Sequence, residues 1–265
     1  MKIQFVSDLH LEFESQFRIK NAGSDLLILG GDICTAMPFS RSEDSPYYAY
    51  GQRFKEFFEY CSNEFEHVLY IMGNHESYQY IQNKTEQTLR ETLAHLPNIN
   101  ILENEYVEVG DVRFLGTTLW TDMNKNDPIT MGLIKDKMND FRVVQVNHDG
   151  VYRKFQPYDA SRMHDAALKF IDKNTGDHDK CFVLTHHAPS TLSIGKKYAN
   201  DFVMNGGYAS DLSEFILDRP QIKMWTHGHV HHNNDYELGS CRIMSNPRGY
   251  NDENPRFMID KIVEL

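Results

Sequence analysis

Five short runs of β-branched and apolar residues, each closing on a cluster of polar and ionisable side chains, set the architecture open to this chain. They are KIQFVSD, DLLILGGD, HVLYIMGNH, CFVLTHH and KMWTHGHVH. Each has the length of a strand buried on both faces and is too short for a helix. Between them the apolar residues change to a helical period. Phe54, Phe57, Phe58, Cys61 and Phe65 share one face of RFKEFFEYCSNEF. Met163, Ala166, Ala167, Phe170 and Ile171 do the same in SRMHDAALKFIDKN, and Leu212, Phe215 and Ile216 mark a shorter helix stopped by Pro220. Strands alternating with helices predict a layered α/β fold. YVEVGDVRFLGTTLW reads as a hairpin turning at Gly110-Asp111, and CRIMSNPRGYNDENPRFMIDKIVEL as two strands around a loop, so the sheet is mixed or doubled. From Thr121 to about Asp159 the chain is polar and offers no clear strand; this stretch reads as a small cap inserted over one edge of the sheets. No linker composition or internal repeat divides the chain, which predicts one domain over residues 1–265.

The strand-like runs end in Asp8-Leu9-His10, Gly30-Gly31-Asp32, Gly73-Asn74-His75-Glu76, His186-His187 and Gly228-His229-Val230-His231. Ligand sites in α/β folds gather at the carboxyl ends of strands, so five such clusters can converge on one place. In extended backbone residues i and i+2 point the same way, which makes Asp8 with His10, and His229 with His231, two expected chelating pairs. Imidazoles, carboxylates and one amide without thiolate suit divalent manganese, iron, zinc or nickel, with manganese favoured. Calcium would take more oxygens, and structural zinc more cysteine. Seven candidate ligands exceed the needs of one tetrahedral ion, whereas a shared carboxylate would let two ions take four each. Two such cations against Asp8 and Asp32 leave a net positive site, suited to an anion whose charge grows during reaction, as a phosphoester's does.

Charge narrows the partners. Lys and Arg number 27 against 38 Asp and Glu, a formal net charge of −11. That balance argues against duplex nucleic acid, which calls for a basic stripe, but not against a small phosphoester drawn in by metal. Cys34, Cys61, Cys181 and Cys241 form no paired motif and read as thiols in a reducing compartment. The start, MKIQFVSDLHLEF, lacks the pattern of a signal peptide, and no run has the length of a membrane span, so the expected location is cytoplasmic.

The ordered set D-x-H, G-D, G-N-H-E, H and G-H-x-H, from Asp8 to His231, resembles the calcineurin-like metallophosphoesterases. The resemblance implies a four-layer α-β-β-α sandwich of two mixed β-sheets flanked by helices, with a dinuclear centre at one end. Carried over by position, Asp8, His10, Asp32 and His231 would hold the first ion, and Asn74, His186 and His229 the second, with Asp32 bridging. His75 would be the catalytic histidine beside the leaving oxygen, as acid or charge stabiliser, and Glu76 or another nearby carboxylate would orient it. Of the neighbours His186 and His187, the family spacing to the following proline turn favours His186; His187 becomes a supporting or partly exposed residue. His227 is expected beneath the metals and His232 on the surface. His148, His164, Arg162 and Tyr158, in or near the cap, are read either as substrate contacts or, no less readily, as solvated or packing residues, and Arg248 as a surface arginine in a turn, with a phosphate contact as the alternative. GGDICTA departs from the G-D-x-V-D-R-G of the protein Ser/Thr phosphatases, removing the arginine that clamps phosphate there. SDLHLE, THHAPS and NPRGY look more like the small prokaryotic or phage phosphohydrolases of the cyclic-nucleotide phosphodiesterase-like branch. Phosphodiester hydrolysis on a small nucleotide or similar substrate leads; phosphomonoester hydrolysis, nuclease activity and a non-catalytic protein-binding scaffold are the alternatives.

Overall fold

All five runs are strands, and together with eight others they form two large sheets and a small one. The structure is a computed structural model and describes residues 1–14 and 16–265. The first sheet takes β1 (Lys2–Val6), β2 (Leu26–Gly30), β3 (His67–Ile71) and β4 (Ile99–Ile101) in parallel, with β13 (Ile262–Glu264) antiparallel at the β1 edge. The second has the order β11-β12-β10-β9-β6-β5. There β6 (Val112–Thr117), β9 (Cys181–Thr185), β10 (Ile222–His227) and β12 (Cys241–Ser245) run parallel, and β5 (Glu105–Val109) and β11 (Asn234–Leu238) are antiparallel edges. The expected hairpin is β5–β6, turning at Gly110 and Asp111, where Gly110 has φ 62°. The two terminal strands also form, one in each sheet.

Strand alternation distributes the core into layers. Ile3 and Phe5 of β1, Leu26 and Ile28 of β2, and Leu69 and Ile71 of β3 face Phe114, Phe182, Leu184 and Met224 of the other sheet. The opposite residues, Val6, Leu27, Leu29, Val68 and Tyr70, pack on the helix Tyr48–Glu64 through Phe54, Phe57, Phe58 and Cys61. On the far side of the second sheet, Leu115, Val183, Trp225 and Ile243 meet Ala167 and Ile171 of the helix Pro157–Thr175. The result is helix, sheet, sheet, helix. The face of the last helix is rotated from the expected one: His164 and Ser161 are buried, whereas Ala166 is exposed and Met163 and Phe170 are half-buried.

The stretch from Thr121 to Asp159 corrects one expectation, since it contains two strands, β7 (Gln145–His148) and β8 (Val151–Lys154). They pair through a turn at Asp149-Gly150, both with positive φ. All four β8 residues are exposed, so no apolar alternation marks that strand. This stretch also carries the helix Pro128–Lys137 and the one-turn helix Asp140–Val143. Trp120, Ile134, Phe141, Val144, Val146 and Phe155 close a cluster separate from the sheet cores. No helix among the described residues is long and apolar enough to cross a membrane.

One half-buried acid near the sheet ends makes a pH prediction. The carboxyl of Glu103 accepts from the Thr118 N–H (2.9 Å) and hydroxyl (2.7 Å). Burial pushes it up to about 7, more than those hydrogen bonds pull it down. Its contribution is therefore fully present below its unfolded value near 4.5 and is lost as pH rises through about 7. Glu103→Gln removes this dependence, so between pH 5 and 8 the parent should lose up to about 3 kcal/mol relative to the variant. Urea unfolding of both proteins across that range checks it; parallel pH profiles would contradict it.

Candidate metal centre

The strand ends deliver their polar residues to one place by a route other than the expected one. Asp8 lies two residues beyond β1, Asp32 two beyond β2, His186 one beyond β9 and His229 two beyond β10. The period-two rule of extended backbone does not apply, because Asp8, His10, Asp32, His229 and His231 have φ of 54°, 49°, 52°, 65° and 44°. Left-handed backbone costs an L-residue about 1 kcal/mol or more, so each of these five turns must be held by its surroundings. Several fixings are visible. Asp8 N–H donates to the Gly31 carbonyl (2.9 Å), His10 N–H to the Asp32 carbonyl (3.0 Å), and His229 N–H to Asp8 Oδ1 (2.9 Å). Gly73 and Gly228 allow the close approach, since a methyl group at either would overlap the Asp32 or Asp8 carboxylate.

Glu76 ties two of the loops together rather than orienting His75. It is fully buried and accepts from Gly73 N–H (2.7 Å), Asp32 N–H (3.1 Å), Ile33 N–H (2.9 Å) and the Tyr70 hydroxyl (2.8 Å). The carboxylate beside His75 is Glu12, whose Oε1 lies 2.8 Å from Nδ1. On the other side of the ring, Nε2 is 2.9 Å from the Tyr250 hydroxyl, and Tyr78 stacks on its face with centroids 3.9 Å apart. Burial would lower the His75 pKa, but the Asp32 charge and the Glu12 contact raise it above the ordinary histidine value.

All seven residues singled out as ligands meet here. Three groups of ligand atoms lie close enough to hold a metal ion: Asp8, His10 and His231; His10, Asp32 and His75; Asp32, His186 and His229. Asp32 and His10 each belong to two groups, and Asn74 Oδ1 adds to the third, 3.1 Å from His186 Nε2. His231 Nε2 is 3.3 Å from Asp8 Oδ1 and also 3.3 Å from His10 Nε2, while His186 Nε2 is 3.3 Å from Asp32 Oδ2.

The chemistry of this set fits divalent cations. Asp8 Oδ2 and His229 Nε2 are buried without a protein partner among the described residues, although such atoms are normally satisfied. His186 Nδ1 lies 3.0 Å from the Gly30 carbonyl and His231 Nδ1 2.8 Å from Glu253, so in both rings Nε2 is the atom left for the centre. Without cations, protons supply the charge. Burial would lower His186 and His231, but Asp32 and Asp8 respectively lift them to about 10 and about 9. Burial would raise Asp8, yet the His231 hydrogen bond and the His186 and His231 charges hold it at about 2. His229 stays neutral, pushed well down by burial and by His187 and His186.

Other expectations fare differently. His187 is not partly exposed: it is buried, stacks on Trp120 and points Nδ1 at the Thr118 carbonyl, 3.2 Å away. His227 is fully buried, with Nε2 2.8 Å from Ser193 Oγ, and His232 is half-buried rather than on the surface. Arg248 is no surface arginine. It is 7% exposed, donates to Glu14 (2.8 Å) and Asp252 (2.7 Å), and so locks the C-terminal loop onto the first one. His148, Arg162 and Tyr158 are exposed and His164 is buried; none lines the cavity described next. That cavity, of about 450 Å³, adjoins Asp32, Asn74, His229 and His231 and is walled by Tyr78, Asp140, Tyr198, Tyr208 and Tyr250. Glu12 and Tyr250 entered the sequence reading only as letters of SDLHLE and NPRGY, and Tyr78 and Asp140 had no place in it. Only Glu12, at the same parity as Asp8 and His10 in DLHLE, carried a local signal.

The family model for calcineurin-like phosphoesterases matches residues 1–233. The chain belongs to that family. As a metallophosphoesterase it is a hydrolase of phosphoric esters that works with divalent metal ions. An uncharacterised protein of Acanthamoeba polyphaga mimivirus is 28% identical over 280 residues, covering 96% of this chain and 93% of its own. Among solved structures, a phosphopantetheinyl hydrolase from Mycobacterium tuberculosis superposes with a TM-score of 0.68 at 11% identity, over 100% of this chain and 95% of that one. A dimetal phosphatase from Danio rerio gives 0.54 at 9%, over 92% and 86%. At such identities these two likenesses speak for the two-sheet fold alone.

Proposed function

We propose that this metallophosphoesterase hydrolyses a phosphodiester in a small substrate, a nucleotide or a molecule of similar size, using two divalent ions. Asp8, His10, Asp32 and His231 would hold one ion and Asp32, Asn74, His186 and His229 the other. Bound there, the cations supply Lewis-acid charge to the phosphoryl oxygens and lower the pKa of water. The chain's own part is positioning and proton handling. Glu12 holds the His75 ring by Nδ1, leaving Nε2 against the hydroxyl of Tyr250, a residue of the cavity wall. When water attacks phosphorus in line and the P–O bond to the leaving alcohol breaks, the His75 Nε2–H can donate its proton to that oxygen or stabilise its charge.

The observation that carries the diester reading is the shortage of cationic side chains. Lys137 is the single Lys or Arg lining the cavity among the described residues, and Arg248 is engaged elsewhere. A monoester dianion usually calls for an arginine clamp beyond the metals; a diester monoanion needs less. With manganese added, bis(p-nitrophenyl) phosphate should therefore be turned over with kcat/KM about 10-fold or more above p-nitrophenyl phosphate, a difference of about 1.4 kcal/mol. The reverse order would make the protein a phosphatase. Metal uptake with neither reaction would leave a scaffold.

A further inference from the structure

Of the four tyrosines that wall the cavity, three have rings already engaged with histidines of the centre. Tyr78 stacks on His75 with centroids 3.9 Å apart. Tyr250 lies 4.3 Å from His10 and Tyr208 5.1 Å from His229, both at an interplanar angle of 32°. Tyr198 differs. It is 58% exposed, and among the described residues no ring packs on it. What it meets is the Lys197 ammonium, 3.2 Å from its hydroxyl and 5.0 Å from the ring centroid. The backbone beneath the ring is nevertheless pinned. Tyr198 N–H donates to the Gly195 carbonyl (2.8 Å), and its own carbonyl accepts from Asp201 N–H (3.0 Å) and the amide of buried Asn205 (2.9 Å). A lone exposed tyrosine on an outer surface would need no explanation. This one shares a cavity of about 450 Å³ with Asp32, Asn74, His229 and His231.

The adjoining wall suits a flat apolar group. Met138, Ile194 and Met204 line the cavity with Tyr198, and their thioethers and methyl groups pack well against the faces and edges of rings. Tyr250, against which His75 Nε2 lies, marks the side of the leaving oxygen. No ring contact joins Tyr198 to Tyr250 among the described residues, so the two belong to different parts of the wall. We infer that Tyr198 is a specificity-determining residue, stacking on a planar aromatic ring borne by the ester group that stays on phosphorus. The site therefore prefers diesters carrying such a ring to saturated ones of the same size. This rests on the diester-hydrolysing reading and narrows the organic group of its substrate.

Two diesters sharing one leaving group test it, 2-phenylethyl and 2-cyclohexylethyl p-nitrophenyl phosphate. Simple burial of apolar surface favours the cyclohexyl compound, so a preference for phenyl reports stacking. The parent should favour the phenyl ester about 5-fold in kcat/KM. In Tyr198→Ala that ratio should fall to about one, through KM rather than kcat. Tyr198→Leu, which keeps apolar bulk without a ring, should lose the preference likewise and supplies the readout should the alanine variant fold poorly. Tyr198→Phe keeps the ring and should keep the preference. A parent that favours the cyclohexyl ester, or ratios within twofold of the parent's in the alanine and leucine variants, would overturn the inference. A loss in Tyr198→Phe as large as in Tyr198→Ala would assign the selectivity to the hydroxyl and overturn it too. Calorimetric binding of 2-phenylethylphosphonate and 2-cyclohexylethylphosphonate to the manganese-loaded proteins separates the two readings. A parent that turns over neither ester, yet binds the phenyl compound more tightly only with a ring at position 198, would sink the hydrolytic proposal and spare this one. An active parent whose ratios ignore Tyr198 would do the opposite.

Discussion

Asp32→Asn is expected to leave a folded protein that no longer holds a pair of ions. Asp32 is the one carboxylate placed in two of the three candidate groups, and its Oδ1 also accepts the His75 N–H at 2.8 Å. The amide keeps the shape and one acceptor, but it removes the charge that draws His186 and His10 inward and that two cations would share. Loss of a residue that merely supports a ligand costs about 10–100-fold in metal affinity, so removal of the shared one should exceed that. The measurement is manganese per chain after equilibrium dialysis, alongside diester turnover. Two ions bound at parental affinity would remove Asp32 from the bridging position.

His75→Ala is expected to separate metal binding from turnover. The ring is enclosed by Glu12, Tyr250 and Tyr78, not by ligands alone: Glu12 anchors Nδ1 as Glu253 anchors that of His231, but Nε2 meets the Tyr250 hydroxyl, whereas Nε2 of His186 and of His231 faces Asp32 and Asp8. Its removal should leave the ions in place and lower kcat by about 10²–10⁴, the span of general acid–base assistance. Most of that loss should vanish for esters whose leaving group needs no proton, so p-nitrophenyl esters should suffer less than alkyl esters if the histidine is an acid. An equal loss with both kinds of ester points to charge stabilisation. Manganese lost together with activity would instead make His75 a ligand, which its place in the group with His10 and Asp32 makes a fair test.

The strands and the convergence of their ends were legible because burial on both faces leaves an uninterrupted apolar run, and the polar cluster after each run has no place in such a core. The conformation of those clusters was not. Period-two reasoning paired Asp8 with His10 correctly in space, but the backbone reaches that pairing through left-handed turns closed by contacts from other strands. Arg248 misled for a similar reason: Asn-Pro-Arg-Gly-Tyr has the composition of an exposed turn, and only the fold brings Glu14 and the Leu9 carbonyl around the guanidinium. Glu12 and His75 are 63 residues apart, and Asp140 meets Tyr78 across 62, so no local pattern could pair them. The β7–β8 ribbon escaped notice because its outer strand buries nothing.

Because Trp120, Ile134, Phe141 and Phe155 pack on one another apart from the sheet interiors, the element that places Asp140 in the cavity wall owes its shape to its own interior. The wall thus has an interior of its own, tied to the chelating loops through Tyr78, which stacks on His75 and reaches Asn74, and through Trp120, which stacks on His187. A lineage that kept those contacts could exchange the rest of the wall and acquire a new diet while its hydrolytic engine stayed as it was.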